Sequence, residues 1–234
     1  MARILLVGGA GTLGADIIDA QEPIHEYFVI DNFIDASLTP DEVGKKVKFK
    51  NMSVANLSEL EEVFDSFEPQ IIMYLSTSLS NDPRTSFESN VLGMQNIIRL
   101  SEARQRPHIL YFQSFLTRKK SDPISESTPV EAQDQYSTWK LAAEYLLSGY
   151  SGPKTTLILA SVLSSRISVG AIPSFVKKIS ANEKVYVTKS ARDYLSTKNF
   201  LDGLRFIIGS PLGLNTIVLG SQISTETSEI FKII

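Results

Sequence analysis

Three side chains in this sequence have the makings of a proton-transfer site: Ser114, Tyr136 and Lys140. Tyr136 and Lys140 stand four residues apart in YSTWK, so in a helix both project from one face. A phenol titrates at about pH 10, too high for easy proton exchange at neutrality. A nearby ammonium favours the phenolate and lowers that value, which would make Tyr136 a general acid/base tuned by Lys140. The spacing alone is common in ordinary helices. Ser114 ends the apolar run HILYFQS, where its hydroxyl would orient a substrate alcohol or carbonyl toward Tyr136, or simply cap the next turn.

A second cluster suits an anion. Gly8-Gly9-Ala10-Gly11-Thr12-Leu13-Gly14 follows the apolar run Arg3 to Val7 and precedes a helical stretch. Glycines at this spacing give a tight turn, a close backbone approach to a pyrophosphate, and close packing of helix on strand. The amides of Thr12, Leu13 and Gly14 would then open the helix and face the anion. Asp31 lies 17 residues beyond Gly14, at the end of the next apolar run, where a carboxylate accepts from ribose hydroxyls and repels a 2′-phosphate. No Arg follows among Asn32, Phe33 and Ile34, so NAD is favoured over NADP. The alternative is a nucleotide-free turn followed by a surface Asp.

These residues need elements to hold them. Apolar runs at Arg3–Val7, Tyr27–Ile30, Val47–Phe49, Ile71–Leu75, His108–Phe112 and Thr155–Val162 read as strands. Between them Ala15–Ala20, Leu57–Phe67, Asn90–Arg104 and Tyr136–Tyr150 read as helices. The alternation predicts an α/β fold, a Rossmann-type doubly wound parallel sheet over residues 1–163. Residues 164–234 are expected to form a small substrate-binding lobe packed on it, with helices at Ile172–Ile179 and Phe200–Ile208 and a strand at Lys184–Val187.

Composition removes other classes. The 234 residues contain no cysteine and two histidines, which excludes disulfides, thiolate chemistry and a His-rich zinc site, so no metal is expected. With 23 basic against 26 acidic side chains there is no polybasic footprint for nucleic acid. No apolar run reaches the roughly 18 residues that would span a bilayer. The N-terminal apolar run enters a glycine loop rather than a cleavage site, and a cytoplasmic protein is expected.

Taken in chain order, GGAGTLG, Asp31-Asn32, NVLGMQN at Asn90–Asn96, the Ser114 strand end and YSTWK resemble the extended short-chain dehydrogenase/reductase family. The nucleotide-sugar epimerase/dehydratase branch is the nearest match. The resemblance implies NAD held by Gly8, Gly11, Gly14 and Asp31, and catalysis by Ser114, Tyr136 and Lys140. It places Leu75, Ser76 and Thr77 along the cofactor, with Lys140 holding the nicotinamide ribose. Ser53 stands where the family usually has an adenine-binding Asp. Ser161 and Arg192, the latter within Arg-Asp-Tyr, fall at sugar-side and phosphate-side positions, although Arg192 could instead pair with Asp193 or Asp202.

The resemblance implies a nucleotide-sugar substrate, epimerised through a keto intermediate. A ketoreductase or a non-catalytic dinucleotide-binding protein are the rivals. Phe115-Leu116 replaces the acids of a 4,6-dehydratase and cannot transfer protons, which disfavours that reaction. Arg118, Lys119 and Lys120 read as a solvated basic loop, or as an attractor of anionic substrate, and Trp139 as packing. A homodimer is also implied, through helices bearing Leu92, Ile97, Leu141 and Leu146, although those residues suit ordinary core equally.

Overall fold

The computed structural model describes residues 1–20, 24–78, 80, 82–120, 123–210 and 215–234. In chain order the elements begin β1 (Arg3–Val7), α1 (Thr12–Asp19), β2 (Glu26–Asp31), α2 (Pro40–Gly44), β3 (Lys48–Asn51), α3 (Leu57–Phe67) and β4 (Ile71–Tyr74). Then come α4 (Pro83–Phe87), a π-helical turn (Glu88–Leu92), α5 (Gly93–Glu102), β5 (His108–Ser114), a 3-10 turn (Phe115–Thr117) and α6 (Gln135–Ser148). The remainder is β6 (Lys154–Leu159), β7 (Ser161–Leu163), α7 (Ala171–Ser180), β8 (Ala191–Ser196), α8 (Thr197–Gly209), β9 (Thr216–Leu219), β10 (Ser224–Glu226) and α9 (Thr227–Ile233).

The expected α/β architecture holds. Seven strands, in the order β3-β2-β1-β4-β5-β6-β9, pair in parallel throughout. Central strands such as β1 and β5 are apolar and buried along nearly their whole length, because helices cover both faces of the sheet. One core layer packs Ile17 and Ile18 of α1 with Phe200, Leu204 and Ile207 of α8. The opposite layer packs Leu60 and Phe64 of α3, Ile97 of α5 and Leu147 of α6. Order reverses between β1 and β4, so the chain leaves those two strands in opposite directions and a crevice opens at their carboxyl ends.

A three-stranded sheet, β10-β8-β7, forms the smaller unit. It does not follow the expected 163/164 division. β7 precedes that point yet pairs with β8, while β9 lies beyond it and joins the main sheet beside β6. Residues 184–187, expected as a strand, are irregular, and Tyr186 is exposed. The strand of this region is β8, which has pairing partners on both sides. Alternation of Lys184-Val185-Tyr186-Val187 suits a strand, but among the described residues no neighbouring strand completes its hydrogen bonds.

The helix expected over Asn90–Arg104 contains an irregularity with a clear cause. In an α-helix the Gly93 N–H would donate to the Ser89 carbonyl. That carbonyl instead accepts from Tyr74 Oη at 2.5 Å, and Gly93 N–H donates to the Glu88 carbonyl. The widened turn fits only because residue 93 has no side chain: a Cβ there would lie 2.4 Å from Val54 Cγ1 and 2.5 Å from Tyr74 Oη. Gly93→Ala is therefore expected to lower stability by about 1–3 kcal/mol, the usual cost of overpacking. Gly209→Ala, whose Cβ would meet nothing within 4 Å, is the control and is expected to leave the thermal midpoint unchanged or slightly raised.

Candidate active site

Every site residue expected from the sequence lines one cavity of about 610 Å³ at the carboxyl edge of the main sheet. The glycine loop forms its floor. Gly8 has φ +75°, and a Cβ there would come within 2.6 Å of the Ser76 backbone, so the loops after β1 and β4 touch main chain to main chain. A Cβ at Gly14 would lie 2.3 Å from the Gly9 carbonyl oxygen, which seats α1 directly on the loop. Gly11 opens α1 without a side-chain cap, leaving the first-turn amides for an anion entering the cavity.

Asp31 ends β2 beside this loop. Its Oδ2 accepts from Ala10 N–H at 2.9 Å and its Oδ1 from Phe33 N–H at 2.7 Å. Burial pushes its pKa up, and these two amides pull the other way. Each oxygen keeps a lone pair for a hydroxyl, so the carboxylate fits a ribose diol. Asn32 is exposed and bonds the Ile34 amide, Ser53 accepts from Ala55 N–H at 3.2 Å, and Thr77 Oγ1 bonds Asn90 Oδ1 at 3.0 Å. An uncapped helix start, main-chain contacts that exclude a Cβ, and this carboxylate together suit a dinucleotide.

Ser114, Tyr136 and Lys140 line the same cavity. Ser114 Oγ accepts from Leu116 N–H at 3.2 Å, so it caps the 3-10 turn and still has its own proton to donate. Tyr136 and Lys140 share one face of α6, as the spacing requires. Lys140 is 3% exposed, donates from Nζ to the Phe112 carbonyl at 2.8 Å, and stands 5.0 Å from the centroid of the Tyr111 ring.

One expectation needs correcting. The Lys140 ammonium does not lower the Tyr136 pKa in this structure: burial, aided by the negative charge of Asp134, pushes Tyr136 up to about 12. Burial also brings Lys140 down to about 7, so its charge is itself marginal at neutrality.

Elsewhere on the cavity wall, Ser161 begins β7 and Arg192 lies in β8. Arg192 forms neither of the ion pairs considered for it. Asp193 accepts from the amides of Ser221 and Gln222, each at 2.9 Å, and Asp202 pairs with Lys198 and Arg205. The Arg192 guanidinium instead stacks over Phe115, 5.7 Å from the ring centroid, and is open to the cavity.

Sequence reasoning missed several lining groups. Ser78, Thr85 and Ser89 add hydroxyls to the wall, and Ser89 sits in the π turn, for which no sequence signal exists. Asp134 was legible in principle, since Asp134 and Ser137 form a capping box at the start of α6. Arg166, which anchors the wall without lining it, was not: it reaches from the loop after β7 to Asp16 and Asp19 of α1, 150 and 147 residues away. That loop carries Ile167, Val169 and Gly170 into the cavity wall.

The buried Lys140 predicts a pH dependence with a definite sign. Its folded pKa, about 7, lies below the unfolded value of 10.5, so between those pH values the unfolded chain binds more protons. Its burial penalty is fully present below about pH 7 and is relieved as pH rises. Denaturation of the wild type at pH 7 and pH 9, compared with Lys140→Met, is expected to show that the variant loses a stability gain at pH 9. An identical pH dependence in both proteins would mean that Lys140 carries no such penalty.

Comparison with known proteins agrees with this geometry. Protein CapI of Staphylococcus aureus is 24% identical over 165 residues, covering 64% of this chain and 49% of that protein. The chain thus aligns with about half the length of that relative. The Bordetella bronchiseptica enzyme WbmG, solved in complex with NAD and UDP, superposes with a TM-score of 0.88 at 28% identity over 98% of this chain and 76% of that one. UDP-glucose 4-epimerase of Thermotoga maritima, solved with UDP-glucose, has a TM-score of 0.87 at 18% identity over 99% of this chain and 81% of its own, a likeness of fold. Among the described residues no helix is long and apolar enough to cross a membrane. With the family pattern matched across residues 4–220, this chain belongs to the NAD dependent epimerase/dehydratase family.

Proposed function

We propose that this protein is an NAD-dependent oxidoreductase that epimerises a nucleotide-activated sugar through a keto intermediate. The observation carrying this reading is the convergence of Ser114, Tyr136 and Lys140 with the Gly8–Gly14 loop and Asp31 on a single cavity. WbmG, solved with NAD and UDP, supports both the cofactor and the nucleotide half of the substrate.

The cofactor would be held by the first-turn amides of α1 at its pyrophosphate and by Asp31 at a ribose. When bound, NAD supplies a reversible hydride acceptor. Tyr136 exchanges a proton with the reacting sugar hydroxyl, and Ser114 donates a hydrogen bond to the same oxygen as it becomes a carbonyl. Arg192, over the ring of Phe115 and on the cavity wall, would receive a phosphate oxygen. Phe115 and Leu116 bring no acid to the sugar, so no elimination of water is proposed.

The same residues serve a second reading, reduction of a keto sugar, in which Tyr136 donates its proton to the developing alkoxide. Epimerisation also needs that donation on its return half, but it begins with proton removal.

The test has two parts. Mass spectrometry of small molecules released on denaturation is expected to find NAD, and a UDP-sugar panel is expected to show interconversion without net change in the cofactor. Tyr136→Phe is expected to keep NAD and lower kcat by about 10²- to 10⁴-fold. Stoichiometric oxidation of added NADH or NADPH would establish the reductase instead. NAD binding without turnover of any nucleotide sugar or carbonyl compound would leave a binding protein.

A further inference from the structure

The basic run after β5 separates into two kinds of residue. Lys119 and Lys120 are exposed, whereas Arg118 is 3% exposed and corrects the expectation of a solvated loop. Its guanidinium lies between the 3-10 turn and α6. Nη2 donates to Glu144 Oε1 at 2.8 Å and Nη1 to Glu144 Oε2 at 3.3 Å, a two-pronged contact, and Nη1 also donates to Thr117 Oγ1 at 3.0 Å.

Gln113 extends this contact toward the reacting groups. Its Nε2 donates to Glu144 Oε2 at 2.8 Å and to the Lys140 carbonyl at 3.2 Å, while its Oε1 accepts from Ser114 N–H at 3.0 Å. Thr117 Oγ1 donates to the Ser114 carbonyl at 2.6 Å. Tyr111 Oη donates to the same Lys140 carbonyl at 2.9 Å. Hydrogen bonds therefore run without a break from the Ser114 carbonyl through Thr117, Arg118, Glu144 and Gln113 to the Lys140 carbonyl, and from Ser114 N–H through Gln113 alone to the same carbonyl.

Stability is a poor explanation for this arrangement. Desolvation offsets most of the attraction in a buried ion pair, and apolar groups of like volume often serve as well. A forked guanidinium–carboxylate contact does fix a distance and an angle. Here it fixes α6, which carries Tyr136 and Lys140, against the end of β5, which carries Ser114.

We propose that Arg118 is a positioning residue that, with Glu144 and Gln113, sets the spacing of Ser114 from Tyr136 and Lys140. The proposal rests on the reading of those three residues given above. Neither Arg118 nor Glu144 lines the cavity, so both act through the groups they hold.

The test compares wild type with Arg118→Met/Glu144→Leu, which replaces the pair by apolar groups, and with Arg118→Lys, which keeps the charge and loses the fork. The double variant is expected to keep its thermal midpoint and its NAD affinity, read by calorimetric titration. Its Ser114–Arg118 amides are expected to exchange about tenfold faster, and kcat on the UDP-sugar that wild type interconverts to fall about 10- to 100-fold with KM little changed, since misplaced groups slow chemistry more than binding. A folded double variant with wild-type amide exchange and wild-type kcat would overturn the proposal. If the double variant does not fold, Arg118→Lys decides by the same readouts. If wild type turns over no UDP-sugar, the functional reading fails, and amide exchange still decides whether Arg118 holds Ser114.

Discussion

The structure depends on one close contact, that of the Gly8 main chain against Ser76. It occurs where strand order reverses, so it joins the two loops that would otherwise diverge around the crevice. With those loops in contact, α1 starts low against the sheet, and a Cβ at Gly14 would strike the Gly9 carbonyl. The helix amides thereby come within reach of the carboxyl edge, and Asp31, at the end of β2, bonds the Ala10 amide of the same loop. Parallel pairing then delivers Ser114 to that edge from β5, since every strand of the sheet ends on the same side.

Features whose cause is local were legible in the sequence. Leu57–Phe67 was read to the residue because Pro69 follows it and Leu60, Val63 and Phe64 recur on one face. The glycine loop and the Tyr136–Lys140 pair were legible for the same reason. Features whose cause is a distant partner were not. The π turn depends on Tyr74 capturing a carbonyl 15 residues away, the wall loop is tied down by Arg166 on Asp16, and β9 is defined by its place beside β6. Residues 184–187 show the converse: their pattern suits a strand, yet pairing belongs to β8.

Electrostatics were the least legible part. Spacing placed Lys140 beside Tyr136 on α6, but spacing does not reveal what a side chain touches. Lys140 turns to the Phe112 carbonyl, and burial then acts on both groups in the direction that removes charge, raising the phenol and lowering the amine. At neutral pH the protein alone therefore keeps Tyr136 protonated and Lys140 close to half charged.

Two buried cations beside β5 and α6 make the contrast plain. Arg118 has both prongs on Glu144 and a further bond to Thr117, and Gln113 bonds the same carboxylate, so its charge is met by an opposite one. Lys140, as deeply buried, has among the described residues a single carbonyl and the face of Tyr111. A charge left so poorly matched is a cost to folding, and its pKa falls accordingly. Compensation identifies Arg118 as a part that holds other parts in place. The bonding capacity that Lys140 keeps, on the wall of the same cavity as Tyr136, supports the role proposed for it there.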